Sequence, residues 1–333
     1  MATGKVQAAD AIADFYKGKQ ITVICSTAGG GAYDTYARMV AKHMGKHIPG
    51  TPGMVVQNMP GASGLKAINY IATVAPKDGT VFAAVHAGIP SAPLTQRQEA
   101  EFSPNAMSWL SSATKELYVG YVFQNAPIRS MEEALTIETL MGGTAVGSFG
   151  PDMTILSNAF FGTKFKLVLG YKDAIEGRLA MQRGETHGTF GTNFADVFKL
   201  SEPTWLTEKK AFIIVQYGVK RHPTLPDTPT FLELAKSEAQ RQAITFMVAR
   251  LDHGKPYVAP PAMPQDRLAA LRRAFDQTMK DPAFLSDLAQ LQLEVDGPMT
   301  GEEMAALIAQ EAATPPDVLK LIEETIAKYR GTK

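Results

Sequence analysis

Three consecutive glycines, Gly29 to Gly31, separate a β-branched run ending at Cys25 from an amphipathic segment beginning at Ala32. A glycine loop between strand and helix leaves backbone N–H groups open at a helix N-terminus, where partial positive charge suits an anion. A dinucleotide fingerprint would need its third glycine where Asp34 stands, and a carboxylate there would face the pyrophosphate. The next apolar run also ends in Asn58 rather than in the acid that meets a ribose. A phosphate-binding P-loop is absent, since no glycine is followed after four spacers by Gly-Lys-Ser or Gly-Lys-Thr.

Other residue types with chemical potential are equally incomplete. The Gly-Ser-Phe-Gly setting of Ser148 approaches a nucleophile elbow, but Val146 occupies the first glycine position, and His86, His187 and His222 lack a triad context. His43 and His47 share a helix face at a spacing of four without the Glu of a zinc motif, and read as solvated histidines at a helix C-terminus. The single cysteine, Cys25, excludes an intrachain disulfide and a cysteine zinc site and reads as a small strand residue. What remains is a set of neutral donors in glycine-rich loops: Ser26, Thr27, Ser63, Ser148, Thr192 and Asn193. Donors without a nucleophile or a matched acid and base point to recognition without reaction, with no metal and no cofactor.

The elements that must position these residues alternate. Ile21 to Cys25 predicts a strand and Ala32 to Lys46 a helix; Met54 to Asn58, a loop "MPGASG", a helix from Leu65 and a strand Val81 to Ala87 repeat the unit. Helical crossovers of this kind imply parallel strands, whose C-terminal loops converge on one edge. Those loops are Ser26 to Gly31, Met59 to Gly64 and His86 to Ser91. A second set follows the aromatic run "ELYVGYVF". It comprises a capping box at Ser130 to Glu133, a strand before Ser148, a helix from Thr154, a strand "KFKLVL", a helix to Arg183, and "THGTFG" leading into Thr192 and Asn193. After a proline-rich segment, Gln265 to Lys280, Pro282 to Gln292 and Gly301 to Ala312 carry helical spacing, with a second capping box at Thr300 to Glu303.

Length and charge set the outer limits. A chain of 333 residues accommodates two lobes, and 33 basic against 33 acidic residues leave no global field for nucleic acid or an anionic membrane. No apolar stretch reaches the roughly 20 residues of a membrane span, and the first residues lack the apolar core of a signal peptide.

The ordered blocks resemble the solute-binding proteins of tripartite tricarboxylate transporters, the Bug-type receptors. Gly30, Gly31 and Asp34 with Arg38 match one block; Asn58 to Gly64, "NMPGASG", followed by Ala75 to Gly79, match the next. Gly147 to Gly150, Tyr171 with Lys172, and Arg221 to Thr230, "RHPTLPDTPT", complete the series in the expected order. The resemblance implies an α/β, two-lobe periplasmic binding protein-like type II fold, each lobe a mixed sheet flanked by helices, with the ligand in the interlobe cleft. Lobe one is expected to comprise 1–120 plus 245–333, including the C-terminal helices, and lobe two 121–244. The implied function is non-enzymatic: a periplasmic receptor, exported by a signal absent from this sequence, binds a small organic carboxylate and delivers it as a monomer to membrane subunits of the transporter.

Carried over by position, the ligand residues of lobe one are Ser26, Thr27, Ala28, Gly29, Gly30, Gly31, Tyr33, Ala62, Ser63, His86, Ala87 and Gly88. Those of lobe two are Ser148, Asp152, Met153, Tyr171, Thr192 and Asn193. Many relatives carry Pro-Phe in place of Ser26 and Thr27, polar residues in place of Met153 and Leu156, and an Asp in place of His187. These differences, with Tyr33, suggest a less polar wall and a carboxylate with an apolar or aromatic body rather than a citrate-like polyacid. Asp34 is expected to cap the first helix or fix the glycine loop. Tyr171 and Lys172 have an alternative reading as a packed turn residue and a solvated lysine. The rival class is a cytosolic α/β enzyme using the glycine loop for a phosphorylated substrate or nucleotide.

Overall fold

The apolar run before the glycines forms strand β1 (Gln20–Cys25), and its alternation decides what packs on each face of its sheet. Ile21, Val23 and Cys25 join one buried cluster with Tyr36, Val40 and Met44 of helix α2 (Ala32–Met44). Ile24 points the other way, into a second cluster with Leu65, Ile68 and Ile71 of helix α3 (Leu65–Thr73). The computed structural model describes residues 11–95, 100–172 and 174–330 and opens with a helical stretch, α1, over 11–16.

The chain divides into two units, Met1–Lys115 with Asp252–Ala313, and Glu116–Leu251 with Thr314–Lys333. The first holds a six-stranded sheet in the order β11-β4-β10-β3-β1-β2. Here β2 is Gly53–Asn58, β3 Val81–Ala84, β4 Ser108–Ser112, β10 Pro256–Ala259 and β11 Met299–Thr300. β1 pairs in parallel with β2 and β3, as the helical crossovers demand, whereas β10 and β11 pair antiparallel with their neighbours, so the sheet is mixed. Helices α7 (Gln265–Thr278) and α8 (Pro282–Gln290) cover the α2 face through Leu271, Phe275, Phe284 and Leu288; α9 (Gly301–Ala312) covers the other through Met304 and Ile308.

The second unit holds a five-stranded sheet in the order β7-β6-β8-β5-β9: β5 Tyr118–Phe123, β6 Thr139–Gly143, β7 Phe165–Leu169, β8 Gly188–Asn193 and β9 Ala211–Tyr217. β6 is parallel to β7 and β8, while β5 is antiparallel to β8 and β9. Val119, Tyr121 and Phe123 project from β5 into a cluster with Phe194, Phe198 and Trp205. Helices α4 (Phe149–Phe161), α5 (Ala174–Gln182) and α6 (Glu238–His253) complete the unit, with α6 running into the first unit past residue 251.

Three expectations change. The last helix, α10 (Pro316–Arg330), packs on α4 of the second unit instead of returning with α7 to α9 to the first. Its amphipathic stripe guarantees that it covers a core but does not say which one. The boundaries accordingly fall at 115, 251 and 313, and the one at 251 lies within helix α6. The Ser130 capping box starts only a 3-10 turn, Glu133–Leu135, with Ser130 Oγ accepting from the Glu133 amide at 3.2 Å. The box at Thr300 opens a full helix, both reciprocal bonds being present.

Candidate functional site

In the first unit the site is built from the glycine loop outward. Asp34, buried to 3% exposure, accepts from the Gly30 amide at 2.9 Å, from Arg38 Nε at 2.9 Å and from Asn58 Nδ2 at 2.8 Å. Asn58 also donates to the Thr27 carbonyl at 2.9 Å and accepts from Arg38 Nη2 at 2.9 Å. Burial pushes the Asp34 carboxyl upward, but the donors Arg38, Gly30 and Asn58 outweigh it and bring its pKa down to about 2. Asp34 therefore fixes the loop, and the residues of two sequence blocks, Gly30-Asp34-Arg38 and Asn58, form one hydrogen-bonded network.

Around this frame stand most of the expected first-unit residues. Thr27 Oγ1 lies 3.3 Å from Cys25 Sγ, and Cys25 is buried as its strand position requires. The Ser26 hydroxyl is buried to 2% exposure and has no hydrogen-bond partner among the described residues, an arrangement that polar groups rarely adopt unless something else completes it. Beside it, Gly64 holds φ at +91°, and a Cβ there would come within 3.3 Å of Ser26 Oγ, so the Ala62 to Gly64 turn closes against Ser26 only with glycine. The Ser63 side chain lies outside the described set. The Tyr33 ring stacks at 4.6 Å, tilted, on His86, and its hydroxyl accepts from the Ala87 amide at 3.3 Å and donates to the Gly254 carbonyl at 3.2 Å. Ala28, Gly29, Gly30, Gly31 and Gly88 are exposed.

Two buried polar residues behind this edge, a lysine and a histidine, were not anticipated. Lys255, 8% exposed, places its ammonium 4.9 Å from the Tyr36 ring centroid and 5.2 Å from that of Tyr33, where the aromatic faces attract a cation. His253 is fully buried at the end of α6: Nδ1 lies 2.9 Å from the Ala87 carbonyl, and Nε2 approaches Glu311 Oε1 at 2.8 Å, off the line a good hydrogen bond prefers. Ser91 Oγ donates to the other Glu311 oxygen at 2.7 Å. The serine meets the carboxylate rather than the imidazole, so this is no Ser-His-acid relay. His43 and His47 face α8 carboxylates, with Nε2 2.7 Å from Asp287 and 3.1 Å from Asp281; His43 is buried rather than solvated.

The second unit carries a pocket of about 290 Å³ at the C-terminal ends of β6 and β8. It brings together Ser148, Tyr171, Thr192 and Asn193 from the expected set, and adds Tyr118, Phe149, Phe190, Thr144, Arg178 and Asp196. α4 begins at the pocket: Ser148 is its N-cap and Phe149 its first residue, earlier than the Thr154 start expected from sequence. Gly150 must be glycine because a Cβ would sit 2.1 Å from the Phe190 carbonyl oxygen, while Gly191, at φ +71°, would bring one to 2.7 Å from Gly150. This close approach sets the helix N-terminus against β8. Ser148 Oγ donates to the Ala145 carbonyl and lies 2.9 Å from Thr144 Oγ1, an N-cap hydroxyl held by its own loop instead of by a histidine.

Asp152 and Met153 do not line this pocket. Asp152 turns back to accept from the Gly147 amide at 2.8 Å, and Met153 and Leu156 are wholly buried in the unit's interior. The less polar wall argued from Met153 and Leu156 thus loses those two residues; its aromatic members are Tyr118, Phe149, Tyr171 and Phe190. Tyr171 is held at the pocket by a long contact of 3.4 Å to Glu185, itself paired with Arg183. Lys172 is exposed and lies outside the lining, its amide donating to Glu176 at 2.6 Å. His187 accepts from the Leu140 amide at 3.1 Å, with burial pushing its pKa down, and is structural. Among the described residues no cluster of three or more His, Cys, Asp or Glu is arranged to hold a metal ion.

No protein-family model matches the chain, and no curated protein matches it. Solved structures do. A TctC solute-binding protein from Polaromonas aligns with a TM-score of 0.71 at 17% identity, covering 94% of this chain and 99% of its own. Rpa4515 of R. palustris, solved with adipate, aligns at 0.57 and 20% identity over 93% and 97% of the two chains. MatC of Rhodopseudomonas palustris, solved with bound malate, aligns at 0.56 and 20% identity over 92% and 99%. These likenesses establish the fold: two mixed sheets, each flanked by helices, as in those solute-binding proteins.

Proposed function

We propose that this protein is a solute-binding receptor of the tripartite tricarboxylate transporter type, which captures a small organic carboxylate with a substantial apolar body. The reading places it in the periplasm, as a monomer that hands its ligand to membrane subunits. Among the described residues no helix is long and apolar enough to cross a membrane. The observation that carries the proposal is the kind of donor at the two strand-end sites. The first unit offers the unpartnered Ser26 hydroxyl beside an exposed glycine loop at the start of α2; the second offers Thr192, Asn193 and the start of α4 inside an aromatic-walled pocket. Backbone amides at helix N-termini and neutral side chains stabilise a carboxylate without a nucleophile or base.

Packing supports the same use of the glycine loop. A Cβ on Gly31 would meet no atom within 4 Å, and one on Gly29 would meet only ordinary contacts at 3.8 and 3.9 Å. The protein's own packing does not demand glycine at either position, which supports reading them as clearance for an incoming molecule. The reading agrees with the folds of the adipate-bound and malate-bound neighbours, whose ligands are small organic carboxylates. The Gly30 amide, committed to the Asp34 carboxylate, argues against the rival use of this loop for a phosphate.

The test is a thermal-shift screen of linear, hydroxylated and aromatic carboxylates against a set including ATP and sugar phosphates, with hits measured by calorimetry. A ligand that binds the native state raises the melting temperature by mass action. Stabilisation by carboxylates alone is expected; stabilisation by nucleotides or phosphate esters alone overturns the proposal.

A further inference from the structure

Arg178 stands in the wall of the second unit's pocket with no counter-ion among the described residues. The arginines at 38, 183, 221, 241 and 272 each face a carboxylate. Arg178 makes neither a hydrogen bond nor an ion pair among the described residues. It is half-buried, on the face of α5 that also gives Ala174 and Gly177 to the lining. Its charge also acts on the buried Tyr121 phenol of β5, where it opposes the upward push of burial. Among the described residues Asp196 is the only other charged group in the lining; it is exposed and already engaged, so the uncompensated charge that these residues bring to the pocket is positive.

A guanidinium offers five N–H donors in a rigid fork that matches a carboxylate, and the match strengthens where neighbouring groups exclude water. The same lining carries aromatic side chains and Asn193, whose Oδ1 accepts from the Ala195 amide at 3.0 Å and is thereby oriented. We infer that Arg178 is a specificity-determining residue that pairs with a second anionic group of the ligand, so that the pocket selects a carboxylate carrying a distal carboxylate over the matching monoacid. The inference rests on the carboxylate-receptor reading. It also sharpens that reading: an apolar body is compatible with the aromatic walls, but it ends in a charge.

The test is calorimetry with length-matched pairs, adipate against hexanoate and succinate against butanoate, on the full chain and on Arg178→Gln and Arg178→Lys. The expected result is a preference of about tenfold or more for the diacid of one pair. That ratio should fall by about tenfold in Arg178→Gln and be partly kept in Arg178→Lys. Unchanged melting temperatures of both variants separate the effect from misfolding. A diacid-to-monoacid ratio that is the same in Arg178→Gln overturns the inference and leaves the receptor reading standing, as does tighter binding of an α-amino acid that depends on Asp196. Failure of all four acids to bind, with a nucleotide binding instead, overturns both.

Discussion

The Gly30 amide donates to Asp34 Oδ2 at 2.9 Å, so the carboxylate that disqualifies the loop as a dinucleotide fingerprint is the group that shapes it. Asp34 stands where a pyrophosphate-binding loop needs glycine, and its three donors consume the capacity that such a loop would keep open.

Asp34→Asn is expected to lower stability by about 2 kcal/mol at neutral pH, the scale of charge-assisted hydrogen bonds that are weakened or left mismatched. Because the folded-state pKa, about 2, lies below the ordinary carboxylate value, this contribution is present above that value and is lost as pH falls towards 2. Denaturant melts at pH 7 and near pH 2.5 check it: the gap between wild type and variant should shrink on acidification.

Gly29→Val separates binding from folding. Its Cβ meets only ordinary contacts and its φ is not in the left-handed region, so stability should change by less than about 1 kcal/mol. Branches of the new side chain extend from the exposed loop, and carboxylate affinity should fall about tenfold or more. Calorimetry alongside thermal melts distinguishes this from a folding defect.

Two glycines of the second unit should behave oppositely when replaced by alanine. Gly150→Ala forces a methyl to 2.1 Å from the Phe190 carbonyl and is expected to cost about 2 kcal/mol or more. Gly177→Ala projects from α5 into open space and should gain about 0.5–1 kcal/mol from helix propensity. Melting temperatures of the two variants give the comparison directly.

The contact between His253 and Glu311 is fully buried, and removing one partner strands the other. Glu311→Ala is expected to cost about 3–5 kcal/mol, whereas Ser91→Ala, which removes a single donor to the same carboxylate, should cost about 1–3 kcal/mol. Equilibrium unfolding of each variant measures both. Equal losses would show that the imidazole contributes nothing to holding Glu311.

Much of this architecture is legible before folding because it depends on local pattern. The run from Ile21 to Cys25, the glycine loops and the helix over Ala32 to Met44 follow from periodicity, and their convergence follows from parallel pairing. The start of α4 is hidden because Gly150 and Pro151 look like breakers. In a first turn, however, the proline's missing N–H has no intrahelical partner to lose, and the glycine is demanded by Phe190. Met153 and Asp152 look like ligand residues by position, yet one faces the interior and the other its own loop. Arg178 gives no signal at all: a lone arginine between Glu176 and Leu179 is indistinguishable in sequence from a solvated one until the pocket beside it is seen. Lys255 and His253 are likewise defined by partners distant in the chain, the rings of Tyr33 and Tyr36 and the carboxylate of Glu311.

The central claim, that neutral donors hold a carboxylate, is tested most directly by calorimetric titration of the carboxylate that stabilises the protein best, into wild type, Ser26→Ala and Asn193→Ala. The account predicts a loss of about tenfold in affinity in at least one of the two variants, with melting temperatures little changed. Wild-type affinity in both variants, or binding confined to nucleotides, would contradict it.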